Sequence, residues 1–217
     1  MPLILAIDTT NEHGSLALLR DEELIAEAPL HAPTGYSDML YRNIAELLAR
    51  HGVTLAAIDC FASASGPGTF TGVRVSLACV KGFAEALRRP AVAVSNLEAL
   101  ARFGTMPLRA AILDARRGEL YGAVYDAGGR QVTDEVVAAP GTWLTSLPAG
   151  VEEFLTVGFP LVVDPPARVV VAPNAMAAQI ARIAAERLAR GDAGDPAALD
   201  ANYVRRADPE LFWSEPR

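Results

Sequence analysis

Ten residues, Ser65-Gly66-Pro67-Gly68-Thr69-Phe70-Thr71-Gly72-Val73-Arg74, constrain this chain more than any others. They join an apolar run, Ala57 to Ala64, to a long helical pattern. Glycine permits backbone angles that side chains forbid. A strand–glycine turn–helix junction aims free N–H groups at whatever lies above the helix start. Two readings stay open, a structural turn and an anion-binding loop. It is not a P-loop, because no Gly-Lys-Ser/Thr follows and Arg74 stands inside the helix pattern.

The following helix, about Gly72 to Arg88, carries two apolar stripes. Val73, Leu77, Val80, Ala84 and Leu87 form one; Val75, Cys79, Phe83 and Ala86 form the other. A surface helix needs only one. Small residues along the second, with Gly82 beside it, would admit another helix closely. The pattern favours a partner interface over a merely central helix, with a charged residue at Val75 or Phe83 expected to break pairing but not folding.

The 217 residues allow one large domain or two small ones. With 51% apolar and 21% charged residues the composition is that of a soluble globular protein. A net charge of −7 argues against autonomous binding of a nucleic-acid backbone. Cys60 and Cys79 read as reduced, buried hydrophobes, with a disulfide the lesser reading. His13, His31 and His51 are far apart in sequence, and no paired Cys or His motif builds a metal site. The stretch Met1 to Asp8 meets a charge too early for a signal peptide, and no apolar run spans a bilayer. The cytoplasm is the expected compartment.

Leu3 to Ile7, Gly14 to Leu19 and Glu22 to Ala28 read as a meander of strands. Ser37 reads as the N-cap of a helix ending near Arg50. Leu55 to Ala64 and Ala91 to Val94 read as strands, and Ser95-Asn96-Leu97-Glu98 as a capping box. Gly104 to Pro107 is the boundary candidate, dividing an N-terminal lobe (1–104) from a smaller C-terminal lobe and tail (105–217). Beyond it come strands at Arg109 to Leu113, Glu119 to Tyr125, Gln131 to Val137, Phe154 to Val157 and Arg168 to Val171. Helices follow near Thr142 to Leu147 and Ala175 to Arg190, and the tail should pack by Tyr203, Phe212 and Trp213. The order suggests two related α/β lobes.

Asp8 ends the first strand, where ligands collect in open α/β sheets. It could hold a metal or activate a water, but an Asx-type turn is favoured. Asp114, beside Arg116 and Arg117, could similarly serve a ligand, but a charged turn is favoured. No Ser/His/Asp site is visible, although geometry rather than order would define one.

Four segments together resemble the TsaB (YeaZ) family, relatives of the TsaD/Kae/Gcp (peptidase M22-like) proteins. They are Ile4 to Thr10, Gly66 to Arg74, Val94 to Leu100 and Ile112 to Tyr121. The tail Ala201-Asn202-Tyr203-Val204-Arg205 resembles the family's closing Pro-x-Tyr-Leu-Arg, with Ala201 replacing proline. The likeness implies an α/β fold of two ribonuclease-H-like lobes, of the actin, sugar-kinase and Hsp70 (ASKHA) type. It implies that the first two helices of the N-terminal lobe bind TsaD, or a second copy of the chain as a homodimer. It further implies a non-catalytic subunit, working with TsaD and the ATPase TsaE, that supports threonylcarbamoyladenosine formation at position 37 of tRNAs reading ANN codons. Contact with tRNA would come only through the complex, with no cofactor and no membrane. The His-x-x-x-His metal pair of TsaD falls on Asn96 and Leu100, neither a fit replacement for imidazole. Departures occur at Tyr36-Ser37, where the family often has His-Ser or His-Thr, and at Arg42, where proline is common. An ATP-binding phospho- or acyl-transferase of the same fold is the rival reading, with a protease a weaker third.

Overall fold

The computed structural model describes residues 2–162 and 167–205. One sheet contains β1 (Leu3–Asp8), β2 (Ser15–Arg20), β3 (Glu23–Pro29), β4 (Cys60–Ala64) and β5 (Ala91–Val94) in the order β3-β2-β1-β4-β5. The first three form an antiparallel meander; β4 lies parallel to β1, and β5 parallel to β4. The other contains β6 (Leu108–Arg116), β7 (Glu119–Asp126), β8 (Val136–Ala138), β9 (Glu153–Thr156) and β10 (Arg168–Val171) in the order β10-β9-β6-β7-β8. It repeats the same scheme, with a meander β6–β8 and β9 and β10 parallel to β6. Both sheets therefore share one topology, that of ribonuclease H. The protein is α/β, with two ribonuclease-H-like lobes.

The helices are α1 (Leu40–Arg50), α2 (Phe70–Leu87), α3 (Asn96–Ala101), α4 (Pro140–Thr145) and α5 (Ala177–Arg190). None of the described helices is long and apolar enough to cross a membrane. All of β1 is buried because the sheet is covered on both faces. Leu3, Leu5 and Ile7 join a cluster with α1 and α2, while Ile4 and Ala6 join one with α3 and α5. This is the period-two alternation of a strand applied to two cores. In the second sheet Ala110, Ile112, Leu120 and Val124 pack under Trp143 of α4, and Ala111, Ala123 and Tyr125 face the central cluster.

The central layer crosses the expected 104/105 boundary. Helix α3 packs on β6 and β7, and α5 packs on β1, β2, β4 and β5. Helix α5 carries no side-chain cap of its own. Ser15 Oγ instead accepts from the N–H groups of Met176 and Ala177 at 3.1 and 2.9 Å, and Glu27 Oε1 from Ala178 at 2.8 Å. The first sheet thus satisfies donors that a helix start leaves open.

Three local expectations are corrected. Ser37 is exposed and caps nothing; α1 begins at Leu40, after a turn in which Tyr36 O accepts from Met39 and Leu40. Buried Tyr36 sets that turn, since its hydroxyl donates to Asn11 O and accepts from Gly14 N–H. The strand expected from Gln131 to Val137 is broken: Gln131 makes an isolated bridge with Tyr125 of β7, the Thr133 hydroxyl accepts the Val124 N–H in place of a strand carbonyl, and a regular strand resumes only at Val136. Ser95 caps α3 through the Leu97 N–H at 3.1 Å, but Glu98 does not close a capping box. Its carboxylate is taken by Arg187 of α5 at 2.6 Å.

Candidate functional site

The glycine loop is welded to the end of β1. Thr69 caps α2 by accepting from Gly72 N–H at 3.2 Å, and its own N–H donates to Thr10 O at 2.6 Å. Thr9 Oγ1 donates to Gly72 O at 2.7 Å. A β-carbon on Gly72 would lie 2.0 Å from the Thr9 carbonyl oxygen, and one on Gly68 would lie 2.6 Å from the Thr10 carbonyl oxygen. Gly66, at φ +105°, precedes Pro67 through a cis peptide bond. The N–H groups of Gly66, Thr69 and Gly72 are engaged by Asn96, Thr10 and Thr69, which is the chemistry of a structural turn. Thr71 is exposed on the first turn of α2.

Asp8 is fully buried, and burial pushes its carboxyl upward against the lowering effect of its hydrogen bonds. Its Oδ1 accepts from the N–H and hydroxyl of Thr10 at 2.9 and 2.7 Å, which is the favoured Asx-type turn. Asn96 Nδ2 donates to Thr10 Oγ1 at 2.9 Å, while its Oδ1 accepts from Gly66 N–H at 3.0 Å. This network ties the ends of β1, β4 and β5 together. Asn96 and Leu100 are both fully buried, Asn96 spent on the network and Leu100 inside the central cluster. These two side chains do not fit a metal: one is apolar and the other's oxygen is already occupied.

A cleft of about 260 Å³ opens between the lobes, lined by Thr10, His13, Gly68, Asn96, Asp114 and Arg116 among others. Asp114 faces it, accepts from Arg116 N–H at 2.7 Å and pairs with the Arg116 guanidinium at 3.4 Å. Asp8 does not line the cleft, so the structure does not gather the two acids into a pair. Although distant in sequence, His13 and His31 meet in space: their rings stack with centroids 4.6 Å apart. Strand pairing of β2 with β3 brings the loops that bear them together, through Ala32 N–H on Glu12 O. Among the described residues no three acidic, His or Cys groups converge for a metal. Cys60 and Cys79 are free and buried, with burial lifting both thiols to about 12. Such thiols stay protonated and unreactive at neutral pH.

The second stripe of α2 divides. Cys79 is buried, and Val75 and Phe83 are half-buried against the cluster formed with α1. The Phe83 ring meets Phe61 at 5.7 Å and Tyr41 at 5.9 Å. A charge at Phe83 would therefore strike the core, which corrects the expectation that folding would survive it. Ala78, Gly82 and Ala86 are small and exposed, four residues apart on one side of the helix and in line with exposed Phe70 and Arg74. Tyr41 of α1, 61% exposed, stands beside this helix through Phe83.

The family described as TsaD, tRNA N6-adenosine threonylcarbamoyltransferase, matches residues 26–187. The chain belongs to this family. Within it, the chain is 37% identical over 124 residues to the tRNA threonylcarbamoyladenosine biosynthesis protein TsaB of Bacillus subtilis, covering 56% of this chain and 54% of that one. The TsaB of Escherichia coli is 36% identical over 127 residues, with 56% and 54% covered. The chain spans about half the length of the curated relatives it matches. The solved YeaZ from Pseudomonas aeruginosa superposes with a TM-score of 0.78 at 29% identity, covering 94% of this chain and all of that one. The likeness to TsaB and YeaZ read from the four motifs is thus met by sequence and by structure.

In this member of the TsaD family, sequence reasoning missed the acceptor that holds the tail. Glu135 accepts from Ser95 Oγ, from Tyr125 Oη at 2.7 Å and from Asn202 Nδ2. Asn202 N–H also donates to Ser65 O at 2.8 Å, placing the tail across the glycine loop. Tyr203 there stacks on Phe70 at 5.8 Å and its hydroxyl accepts from Arg74 Nε at 2.9 Å. The packing expected of Tyr203 occurs, whereas Phe212 and Trp213 lie outside the described residues. The acidic run Asp134-Glu135 was the available signal, but such a pair most often faces solvent.

Proposed function

We propose that this chain is a non-catalytic scaffold and activator of the assembly that makes N6-threonylcarbamoyladenosine at position 37 of tRNAs reading ANN codons. It pairs with the catalytic subunit TsaD and supports the ATPase TsaE in the cytoplasm. One observation supports the reading: Asn96 and Leu100, to which the resemblance assigns the positions of the TsaD metal pair, are consumed by the loop network and the core. The exposed face of Ala78, Gly82 and Ala86 supports α2 as the pairing surface, used for self-pairing when the chain is alone. The names of the TsaB relatives support the pathway.

The deciding experiment measures threonylcarbamoyl transfer to tRNA by TsaD and TsaE from the same organism, with and without this chain. Transfer should appear only when the chain is added, and the chain alone should give none. Unchanged transfer would overturn the proposal. The rival transferase reading draws on the interlobe cleft with Asp114 on its wall. Saturable ATP binding and turnover by the isolated chain would favour it.

A further inference from the structure

Strand pairing sets two of the chain's three histidines side by side. The β2–β3 ladder ends with Ser15 opposite Pro29, but its hydrogen bonds run on. Leu30 N–H donates to Gly14 O and Ala32 N–H to Glu12 O, both at 2.8 Å. His13 and His31 therefore stand opposite one another, between those two bonds. This is a non-hydrogen-bonded cross-strand position, where facing side chains come closest. The Tyr36 hydroxyl, bonded to Asn11 O and Gly14 N–H, fixes the backbone on either side of His13. The two residues are distant in sequence, so spacing alone does not show the pair.

The two Nδ1 atoms lie 3.2 Å apart. Nitrogens each about 2.0–2.1 Å from one metal ion are about 2.9 Å apart at a right angle and about 3.4 Å apart at a tetrahedral angle. The observed separation falls between those limits. The rings are inclined by 20°, so both lone pairs meet one ion after a turn of each ring. His31 is exposed and His13 partly so, which leaves those turns in solvent. Glu12 supplies a second, independent indication, with Oε1 3.5 Å from Nε2 of His13. A carboxylate there favours the proton on Nε2 and leaves Nδ1 as a lone pair, the arrangement that orients metal-bound imidazoles. That assignment makes His31 Nδ1–H the donor to His13 Nδ1 in the metal-free chain.

We propose that His13 and His31 chelate one transition-metal ion of the kind that imidazole prefers: copper(II), nickel(II) or zinc(II). On binding, His31 gives its Nδ1 proton to solvent and takes one up on Nε2, so both rings stay neutral. Two protein ligands leave the rest of the coordination shell to water, unlike a closed structural site. The site uses neither Asn96 nor Leu100 and stands or falls independently of the scaffold reading. Because His13 also lines the interlobe cleft, the ion sits at the rim of that cleft.

The test titrates copper(II), nickel(II), zinc(II) and magnesium(II) into the untagged full-length chain by calorimetry. The copper complex is then read by electron paramagnetic resonance. Wild type should bind copper most tightly and magnesium not at all. The copper spectrum should show coupling to two nitrogens. His31→Gln should weaken binding about a hundredfold by removing one of two linked contacts. It should also leave coupling to a single nitrogen. Glu12→Gln should weaken binding about tenfold. It should in addition shift the His13 tautomer in long-range proton–nitrogen correlation spectra, which a merely structural role would not do. His51, at the end of α1, is the control, and His51→Gln should bind as wild type does. Each variant should melt at the wild-type temperature, since the substituted side chains are partly or fully exposed. Binding by wild type no tighter than by the double variant His13→Gln, His31→Gln would overturn the proposal. So would an equal loss in His51→Gln, or a copper spectrum without nitrogen coupling.

Discussion

Single atoms decide what the glycine loop tolerates. Gly72 sits in ordinary helical backbone, so its constraint is space rather than φ: a β-carbon there would be 2.0 Å from the Thr9 carbonyl. That oxygen belongs to a fully buried residue and has no room to yield. Gly72→Ala should therefore destabilise the chain by about 1–3 kcal/mol in urea unfolding. Gly82 is the internal control, since nothing lies within 4 Å of a β-carbon there. Gly82→Ala should gain close to 1 kcal/mol from helix propensity. Equal effects at the two sites would show that the weld between loop and β1 is not tight. The sequence marks both residues as glycine, but only the approach of β1 separates the obligatory one from the optional one.

At the scale of elements, α2 meets α1 and the first sheet on its buried side and the segment from Pro196 to Tyr203 along a flank, and it leaves the rest to solvent. Its double apolar pattern is legible in sequence, but the pattern counts faces and does not name their partners. Cys79 and Phe83 answer to α1, leaving Ala78, Gly82 and Ala86 outside. Gly82→Arg tests this face cleanly, because arginine is the better helix former and has open space here. The isolated variant should fold at least as stably as wild type, by thermal melting. Its long side chain should nevertheless block close approach of a second helix, abolishing co-elution with TsaD and any self-association in light scattering. Unimpaired pairing would move the interface elsewhere.

Across the whole molecule, half-buried ion pairs stitch the two halves of the chain together. Arg102 meets Glu186 through two hydrogen bonds, at 3.0 and 2.7 Å, and Arg187 meets Glu98. Within the second lobe, Glu153 is fully buried and accepts from the N–H groups of Thr105 and Met106 at 2.7 and 3.0 Å, and from Arg168. Burial pushes this carboxyl up, but those donors together hold it below its ordinary 4.5. A depressed carboxylate stabilises the fold fully above its unfolded value and loses that contribution as pH falls through the folded one. Stability should therefore decline below about pH 4.5. Glu153→Gln should cost about 1–3 kcal/mol at neutral pH and flatten that acid decline, as read from urea unfolding at a series of pH values. An unchanged acid limb would assign the decline to other groups.

The sequence by itself determined the strand of β1, the glycine junction, the helices that follow it and the family likeness. Each rests on periodicity or on backbone freedom among near neighbours in the chain. Only the tertiary structure decided that both sheets share one topology and that α3 and α5 fill the layer between them. It alone brought His13 onto His31, Arg187 onto Glu98 and the tail onto Glu135. A polar side chain has many possible partners, and which one it meets depends on how distant segments pack.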